Sequence, residues 1–326
     1  MGLISEISTF LNENIGINEE LALGLSKLEA SDMFLLFPLT NRLRESASQD
    51  RVFLCSIVNA KSGLCAEDCR FCAQSARYPT GIKTYPLLSA EEMVAAARSA
   101  RKNGAREFGI VTSGKGVSDP FEIETIAQAI AGISEMGLQA CVSPGIVSAD
   151  TLSRWKEAGL SRYHHNLETA PSFFPEICTT HGIEEDIAAV RRAKAAGLPV
   201  CVGGLFGMGE SWAQRVELAF LLKELEVDSA PLNFLNPIPG TPLADTAPGI
   251  KPLEALRTIA LFRLVMLSVR IIICGGREAN LRDLQALVFL AGANALMIGN
   301  YLTTSGREPE KDLKMLADLG LEPAPP

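Results

Sequence analysis

The amino-acid sequence predicts an α/β protein built as a TIM-type (β/α)8 barrel, closed or nearly closed, with an N-terminal helical extension. Short runs that are apolar on both faces alternate with helical stretches over ~250 residues, a pattern typical of parallel strands covered by helices. Several helical stretches end in a glycine, which closes a helix in the left-handed conformation, just before the next apolar run begins. A doubly wound open sheet fits the same pattern, and in either fold the functional site lies at the carboxyl ends of the strands. The eight candidate strands are Val52–Asn59, Glu107–Val111, Gln139–Ser143, Arg162–Asn166, Pro199–Gly204, Ser229–Leu235, Arg270–Cys274 and Ala295–Ile298.

The predicted fold divides the chain into three segments. Residues 1–50 form a polar-rich helical extension, in which apolar side chains recur at helical spacing. Residues 51–302 form the barrel, and residues 303–326 form a C-terminal tail. Within the barrel, a helix begins at Ser89, and Glu92 follows three residues later, which is the spacing of a capping box.

The composition excludes several classes of protein. Of the 326 residues, 47% are hydrophobic, which is enough for a large core and excludes general disorder. The formal net charge of −8 argues against a nucleic-acid or membrane-surface partner, which would require a basic face. The longest apolar run, Ala255–Leu267, is interrupted by Arg257 and Arg263 and is too short for a membrane span. Because the first residues lack the basic and apolar parts of a signal peptide, we expect a cytoplasmic protein.

Three of the eight cysteines are crowded into the loop that follows the first predicted strand. Cys65, Cys69 and Cys72 form a C-x3-C-x2-C run, and no fourth cysteine occurs before Cys141. A structural zinc site needs four protein ligands, whereas a [4Fe–4S] cluster held by three thiolates leaves one iron free to bind a small molecule. A zinc site and three unrelated thiols remain as alternatives, and the former would make the chain a non-catalytic metal-binding protein.

The cysteine run, with Phe71 as the apolar residue before its last cysteine, resembles the signature of the radical S-adenosylmethionine superfamily. A second superfamily pattern, G-x-I-x-G-x-x-E, resembles Gly203–Glu210. The resemblance implies a full or partial (β/α) barrel and a [4Fe–4S] cluster whose free iron binds S-adenosylmethionine. It also implies that Phe71 and Glu210 belong to the cofactor site, with Phe71 near the adenine.

From about residue 50 onward, the sequence resembles the biotin synthase family in particular. The resemblance implies sulfur insertion into dethiobiotin, with an auxiliary iron–sulfur cluster as the sulfide donor and S-adenosylmethionine as the source of a 5′-deoxyadenosyl radical. It further implies a flavodoxin- or ferredoxin-type reductant and a homodimer. The matching stretches are Asn59–Gly63, His165–Thr169, Asn233–Leu243, Gly275–Glu278, Tyr301–Thr304 and Asp312–Glu322.

The dispersed cysteines include candidates for the auxiliary cluster. Cys141 and Cys201 each lie four residues after a glycine that ends a helix, so both occupy the same register in the third and fifth strands. Alternate strands of such a barrel contribute to one interior layer, and Cys274 and Cys55 also lie on odd-numbered strands. Cys141 and Cys201 match ligand positions of the family. The alternative is that all four are small side chains of a tight core.

The auxiliary site departs from the family pattern of three cysteines and an arginine around a [2Fe–2S] cluster. Gly109 stands at the position of the missing cysteine, Ile272 at that of the arginine, and Glu107 where a basic residue is usual. Because Cys274 adds a third thiolate to Cys141 and Cys201, we predict a [4Fe–4S]-type auxiliary cluster on these three residues. Cys55 is the candidate for a fourth ligand.

The resemblance also assigns polar residues to the two small molecules. Asn166 and Glu168 match positions that contact S-adenosylmethionine, and Asn166 is also near the substrate. Asn233 matches a position that binds the ureido ring of dethiobiotin, since an amide both donates and accepts hydrogen bonds. Asn166 and Asn233 are therefore the candidate catalytic residues.

Two substitutions leave contacts open. His164 replaces a usual asparagine beside the substrate, and Asp186 stands where the family often has an arginine for the S-adenosylmethionine carboxylate, so that Arg191 or backbone donors would have to serve. Another enzyme of the superfamily, such as a hydrogenase-maturation or methylornithine-forming enzyme, is therefore the nearest alternative. The segment Gly109–Gly116 nearly matches a phosphate-binding loop, but it lacks the final hydroxyl that binds magnesium.

Overall fold

The computed structural model of the protein describes residues 2–325 and contains a closed barrel of parallel strands. Hydrogen bonds join the barrel strands in the order β1-β2-β3-β4-β5-β7-β8-β9, and β9 pairs back with β1. This closure confirms the predicted barrel and excludes the open doubly wound sheet. The strands are β1 Arg51–Lys61, β2 Glu107–Thr112, β3 Gln139–Ser143, β4 Leu160–His164, β5 Val200–Cys201, β6 Gly204–Phe206, β7 Ser229–Phe234, β8 Arg270–Ile273, β9 Ala295–Met297 and β10 Glu322–Pro323.

The fifth position of the barrel differs from the single predicted run Pro199–Gly204. It is occupied by two short strands, β5 and β6, both of which pair with β7. The chain breaks between them at Gly203, whose N–H donates to Asn166 Oδ1 at 3.2 Å. A Cβ at Gly203 would lie 1.8 Å from the carbonyl oxygen of Pro231, so only glycine fits this close approach of two strands.

Other strand boundaries differ by a few residues. The predicted run Arg162–Asn166 begins two residues earlier as β4 and ends at His164, and β8 ends at Ile273, just before Cys274. β10 lies in the predicted C-terminal tail, where it pairs with the start of β1 beside Arg51. The sequence pattern did not indicate β10, because its two residues are too few to show a period.

Helices cover the outside of the barrel. Ser89 caps α4 as predicted, because its side chain accepts from the N–H of Glu92 while the Glu92 carboxylate accepts from the N–H of Ser89. The helices are α1 Leu3–Asn12, α2 Glu19–Gly24, α3 Ala30–Ser48, α4 Ala90–Lys102, α5 Pro120–Glu135, α6 Ala149–Glu157, α7 Phe174–Ile177, α8 Ile183–Ala195, α9 Trp212–Glu224, α10 Pro252–Val265, α11 Arg277–Leu281, α12 Leu287–Leu290 and α13 Pro309–Asp318.

The three N-terminal helices pack against the outer side of the barrel helices. α3 contacts α10 and α12, and α2 contacts α9. Hydrogen bonds tie them in place: Thr40 Oγ1 donates to the Leu290 carbonyl at 2.6 Å, and Trp212 Nε1 donates to the Ala22 carbonyl at 2.9 Å. Met1 and Pro326, the outer residues of the predicted first and last segments, lie outside the described residues. Within residues 2–325, every helix is too short or too polar to cross a bilayer.

Candidate functional site

The carboxyl ends of the barrel strands and the loops after them enclose a cavity of about 310 Å³. Most of the residues predicted for the site line this single cavity, although they come from distant parts of the chain. Among residues 2–325, no lysine or arginine lines it. The predicted site residues on its wall are Phe71, Cys72, Asn166, Glu168, Asn233, Cys55, Cys141, Cys201 and Cys274, together with His164.

The loop after β1 brings the three clustered thiols together, and one of them, Cys72, lines the cavity. Cys65, Cys69 and Cys72 are all half-buried, and the N–H of Cys72 donates to the carbonyl of Cys69 at 2.9 Å, which gives the run a tight turn. Burial raises the pKa of Cys72 to about 11, and the nearby Cys65 thiol adds to this shift. The burial of Cys72 and its proximity to Cys65 give this loop a donor set suited to a positively charged metal centre.

Asp68, inside the cysteine run, clamps this loop to the segment after α7. Its carboxylate accepts from the N–H of Thr179 at 2.8 Å and from the N–H and hydroxyl of Thr180 at 3.2 and 3.1 Å. The Cys178 thiol lies 3.3 Å from the same carboxylate. A hydrogen bond with Cys178 and burial both raise the pKa of Cys69. Sequence reasoning assigned Cys178 no role, although the polar run Cys178–His181 is a signal that could have indicated a contact.

A second chain of polar contacts runs from Glu67 through His181 and Asp186 to His165. Glu67 pairs with His181 Nδ1, while Asp186 lies 3.4 Å from His181 Nε2 and 2.9 Å from His165 Nε2. Hydrogen bonds to Asp186 and then to Glu67 raise the pKa of His181 to about 9. Ligand atoms of Glu67, Cys178 and His181 lie within 4.8 Å of one another, so this cluster could also hold a metal ion, but its members already have hydrogen-bond partners.

The buried side chain of Asp186 therefore faces two histidines rather than the cavity. Arg191, which we expected as an alternative partner for the S-adenosylmethionine carboxylate, is exposed on α8 and does not line the cavity. His164 and His165 point in opposite directions, as expected for neighbours in a strand. His164 lines the cavity with its Nδ1 2.9 Å from Ser143 Oγ, and burial lowers its pKa to about 4, so it is neutral at pH 7.

Asn166 and Glu168 follow β4 at the mouth of the barrel. Glu168 has a φ of +62°, which is unusual for a residue with a side chain, and its carbonyl accepts from the N–H of Leu205 at 2.7 Å. Burial raises the pKa of the Glu168 carboxyl to about 7. The strained backbone directs this carboxyl into the cavity, on the side of Cys72.

Glu210 lies behind the cavity wall and is not among its lining residues. Its buried carboxylate accepts from the N–H groups of Gly207 and Met208, both at 2.9 Å, and from Arg215 Nε at 2.8 Å. The motif Gly203–Glu210 is thus a turn held by its own last residue. Glu210 would act on a cofactor through the shape of this turn.

Four further thiols form a ring inside the barrel, below the cysteine loop. We refer to Cys55, Cys141, Cys201 and Cys274 as the thiol ring; they come from the first, third, fifth and seventh barrel positions. Burial raises the pKa of Cys201 to about 12, and burial together with the neighbouring Cys274 and Cys201 raises that of Cys55. The expected layer of alternate strands is therefore present, and Cys55 belongs to it.

Gly109 and Ile272 occupy the same level as the thiol ring. Gly109 is the register partner of Cys141 in the β2–β3 pair, and Ile272 packs against Cys201 and Cys274. A Cβ at Gly109 would lie 3.0 Å from the Ile57 side chain, which leaves little room for a thiol there. Tight apolar packing therefore occupies Gly109 and Ile272, the two positions where the family pattern has a cysteine and an arginine as cluster ligands.

A charged floor lies directly beneath the thiol ring. Arg162 Nε and Arg270 Nη1 both donate to Oε2 of Glu107, at 3.0 and 3.4 Å. Arg162 also donates to Ser229 Oγ at 3.3 Å, and the guanidinium of Arg270 lies 3.9 Å above the Phe53 ring. We call Glu107, Arg162 and Arg270 the floor triad. Sequence reasoning noted Glu107 but missed both arginines, which meet it only across the barrel.

Asn233 stands at the end of β7 with one side of its amide already fixed. Its Oδ1 accepts from the N–H of Gly275 at 3.0 Å, and its Nδ2 lies 3.4 Å from the carbonyl of Gly204. The orientation of the amide is thereby set, and its second N–H remains available to the cavity. Nearby, Tyr301 lines the cavity, and its hydroxyl is held by Arg277 at 3.2 Å.

Comparisons with known proteins agree with this arrangement. Residues 61–222 match the radical SAM superfamily, and residues 231–322 match the biotin and thiamin synthesis associated domain. The chain is 55% identical to a biotin synthase of Geotalea daltonii over 94% of its own length and 93% of the relative. It is 50% identical to a biotin synthase of Trichlorobacter lovleyi over 98% and 96% of the two chains.

Solved structures share the fold at lower sequence identity. A methylornithine synthase has a TM-score of 0.83 and 21% identity, covering 99% of this chain and 98% of that structure. A hydrogenase maturase from Carboxydothermus hydrogenoformans has a TM-score of 0.81 and 19% identity, covering 98% and 79%. At such identities the likeness concerns the barrel alone.

Proposed function

Since the chain belongs to the biotin synthase family of the radical S-adenosylmethionine superfamily, and its reaction is the insertion of sulfur into dethiobiotin, we propose that its two groups of thiols hold the two iron–sulfur clusters of this reaction. The observation that supports the proposal is that Cys72 of the first group and all four thiols of the ring line one cavity, which also contains the predicted substrate residues. A substrate in that cavity would lie between the two groups. This is the arrangement required when one centre starts the reaction and the other supplies an atom.

The first group, Cys65, Cys69 and Cys72, would hold a [4Fe–4S] cluster with S-adenosylmethionine on its free iron. When bound, these two supply the 5′-deoxyadenosyl radical that removes hydrogen from unactivated carbon atoms. Phe71, Asn166 and Glu168 would bind the cofactor from the cavity wall. The chain's own part is to fix the loop, which the Asp68 clamp does from outside the cavity.

The second group would hold the auxiliary cluster, of the [4Fe–4S] type, on Cys141, Cys201 and Cys274. When bound, this cluster supplies the sulfur atom. Three thiolates leave one iron without a protein ligand, and an extra sulfide on that iron could leave without dismantling the rest. Ile272 and Gly109 support this assignment, because neither can replace a ligand of a [2Fe–2S] cluster. Cys55 lies in the same ring as the candidate fourth ligand.

Asn233 and Asn166 would position dethiobiotin between the two centres. The fixed amide of Asn233 offers an N–H to the ureido carbonyl, while neutral His164 presents an uncharged ring to the same space. A flavodoxin- or ferredoxin-type reductant and a homodimer complete the proposal as partners.

Iron and sulfide analysis with Mössbauer spectra on anaerobically reconstituted protein tests the auxiliary cluster. We expect about eight irons per chain, in two cubane-type clusters, and about four in the Cys274→Ala variant. Ile272→Val is the matched control: it removes one methyl group from the same strand and should retain all the iron. About six irons with a [2Fe–2S] spectrum, or full iron and turnover in Cys274→Ala, would contradict the assignment.

The same analysis on Cys55→Ala distinguishes three ligands from four. Full iron content in this variant supports the three-thiolate site, and loss of half the iron makes Cys55 a ligand. For the first cluster, Cys69→Ala should abolish the formation of 5′-deoxyadenosine from S-adenosylmethionine. Undiminished cleavage in that variant would refute the role of the cysteine loop.

A further inference from the structure

The floor triad is unusual for its position. The interior of a (β/α)8 barrel is normally filled with branched aliphatic side chains, yet here three charged groups lie under the thiol ring. The side chains of Glu107, Arg162 and Arg270 are 9, 11 and 19% exposed. Taking such groups out of water is costly, and apolar replacements of similar volume are often neutral or stabilising. Stability of the fold therefore does not explain why the triad is charged.

The triad has a net positive charge next to the thiols. Two guanidinium groups, which do not lose their protons in proteins, share the single carboxylate of Glu107. Strand register places this charge directly beside the ring: Glu107 is the partner of Cys55 in the β1–β2 pair, and Arg162 is the partner of Cys141 in the β3–β4 pair. Of the triad, Glu107 lines the cavity with the thiols and the two arginines do not, and Arg277 is a further cation near Cys274.

A cluster on three thiolates with an additional sulfide carries negative charge into this buried space. In a medium of low dielectric constant, a fixed charge at such short range acts strongly, and the net charge around an iron–sulfur cluster is among the factors that set its reduction potential. A positive floor would favour the more negative, reduced state and would hold the anionic sulfide on its iron.

We propose that the floor triad is the counter-charge of the auxiliary cluster and sets its reduction potential. The inference rests on the proposed function, because it requires the thiol ring to hold a cluster. Glu107, Arg162 and Arg270 are in this view charge-setting residues that act through the cluster and do not touch the substrate. The sign of the triad's net charge affects the reduction potential more than the hydrogen bonds within the triad do.

Two variants that break the same ion pair with opposite changes of charge test the proposal. Arg162→Met removes a positive charge and should lower the midpoint potential of the auxiliary cluster, whereas Glu107→Gln removes a negative charge and should raise it. A purely structural floor predicts shifts in the same direction, or none, because both variants lose the same contact. The potentials are measured by anaerobic spectroelectrochemical titration of the reconstituted holoenzyme, with the cluster of residues 65–72 as internal reference.

Additional variants keep the test decisive if Arg162→Met does not fold. Arg162→Lys retains the charge and should leave the potential near that of the wild type, and Arg270→Met should lower it. The exposed pair Arg154–Glu124, bidentate at 2.8 to 3.1 Å, provides matched controls, since Arg154→Met and Glu124→Gln should cause no shift.

The outcomes separate this inference from the function on which it rests. Opposite shifts in the two charge variants support it. Shifts of the same sign, or no shift, in proteins that contain about eight irons would overturn the inference and leave the auxiliary cluster intact. About four irons in the wild-type protein would overturn the auxiliary cluster and, with it, the role of the floor.

Discussion

Replacing Asn233 separates the proposed contact with dethiobiotin from the scaffolding contact with Gly275. Asn233→Ala removes both, because Oδ1 no longer accepts from the N–H of Gly275 and Nδ2 no longer faces the cavity. Asn233→Asp preserves the size of the side chain and the acceptor for Gly275, but it removes the N–H groups. A direct contact with the ureido carbonyl therefore predicts weak substrate binding in both variants, and a scaffolding role through Gly275 predicts it in the alanine variant alone. A scaffolding role through the contact of Nδ2 with the Gly204 carbonyl at 3.4 Å would instead lower the free energy of unfolding of both variants.

The magnitude follows from the hydrogen bond that each variant lacks. Leaving a buried carbonyl of the substrate without its donor costs about 1–3 kcal/mol. At room temperature this corresponds to a roughly 5- to 150-fold increase in the dissociation constant for dethiobiotin. The alanine variant additionally loses the bond at 3.0 Å to Gly275, so its free energy of unfolding should fall by about 1 kcal/mol relative to the aspartate variant.

Isothermal titration of dethiobiotin into anaerobic protein containing S-adenosylmethionine measures the binding directly. Turnover adds a second measure, because a mispositioned substrate should give more 5′-deoxyadenosine per biotin formed. If wild type, Asn233→Asp and Asn233→Ala bind dethiobiotin with equal affinity, the amide does not contact the ureido ring and the reasoning is wrong.

Three other perturbations address the scaffold of the site. Gly203→Ala places a Cβ 1.8 Å from the Pro231 carbonyl oxygen and should lower the free energy of unfolding in urea by about 3 kcal/mol or more, whereas Gly182→Ala, with open space around its Cβ, should change it little. Because the pKa of His181 is raised in the folded state, its stabilisation is complete below about pH 6.5, the unfolded value, and is lost as the pH rises through about 9. The stability difference between wild type and His181→Gln should therefore shrink from about 3 kcal/mol at pH 6 toward zero at pH 10, and a difference that grows with pH would contradict this. Asp68→Ala should lower the iron retained by the cysteine loop and the rate of 5′-deoxyadenosine formation, and unchanged values for both would show that the clamp is dispensable.

Local patterns in the sequence were sufficient to predict most of the barrel architecture. The period of apolar runs predicted all eight barrel positions, and counting from the glycines that end helices placed Cys141 and Cys201 in one register. Cys55 was included because it lies on an odd-numbered strand, and the structure places it in the thiol ring with the other three. These features are set by residues that lie close together in sequence, within one helix and the strand that follows it, where periodicity and spacing are informative.

Contacts between distant segments could not be predicted in the same way. Asp68 and Thr179 are 111 residues apart, and Arg162 and Arg270 meet Glu107 from other sides of the barrel. Nothing in their neighbours along the chain indicates these partners. Asp186 is a similar case, since only the fold reveals that two histidines occupy its oxygens.

The anchoring of the cysteine loop depends on residues that lie more than 100 positions later in the chain. Arg70 of that loop donates its N–H to the carbonyl of Ile177 at 2.9 Å. The carboxylate of Asp68 accepts from the N–H groups of Thr179 and Thr180. The loop emerges early in synthesis, but its partners are made only after more than half of the chain. We therefore expect the loop to take up its proposed cluster only after residues 177–180 have been made. A nascent chain that stops before residue 180 has all three thiols of the motif and no rigid frame to hold them.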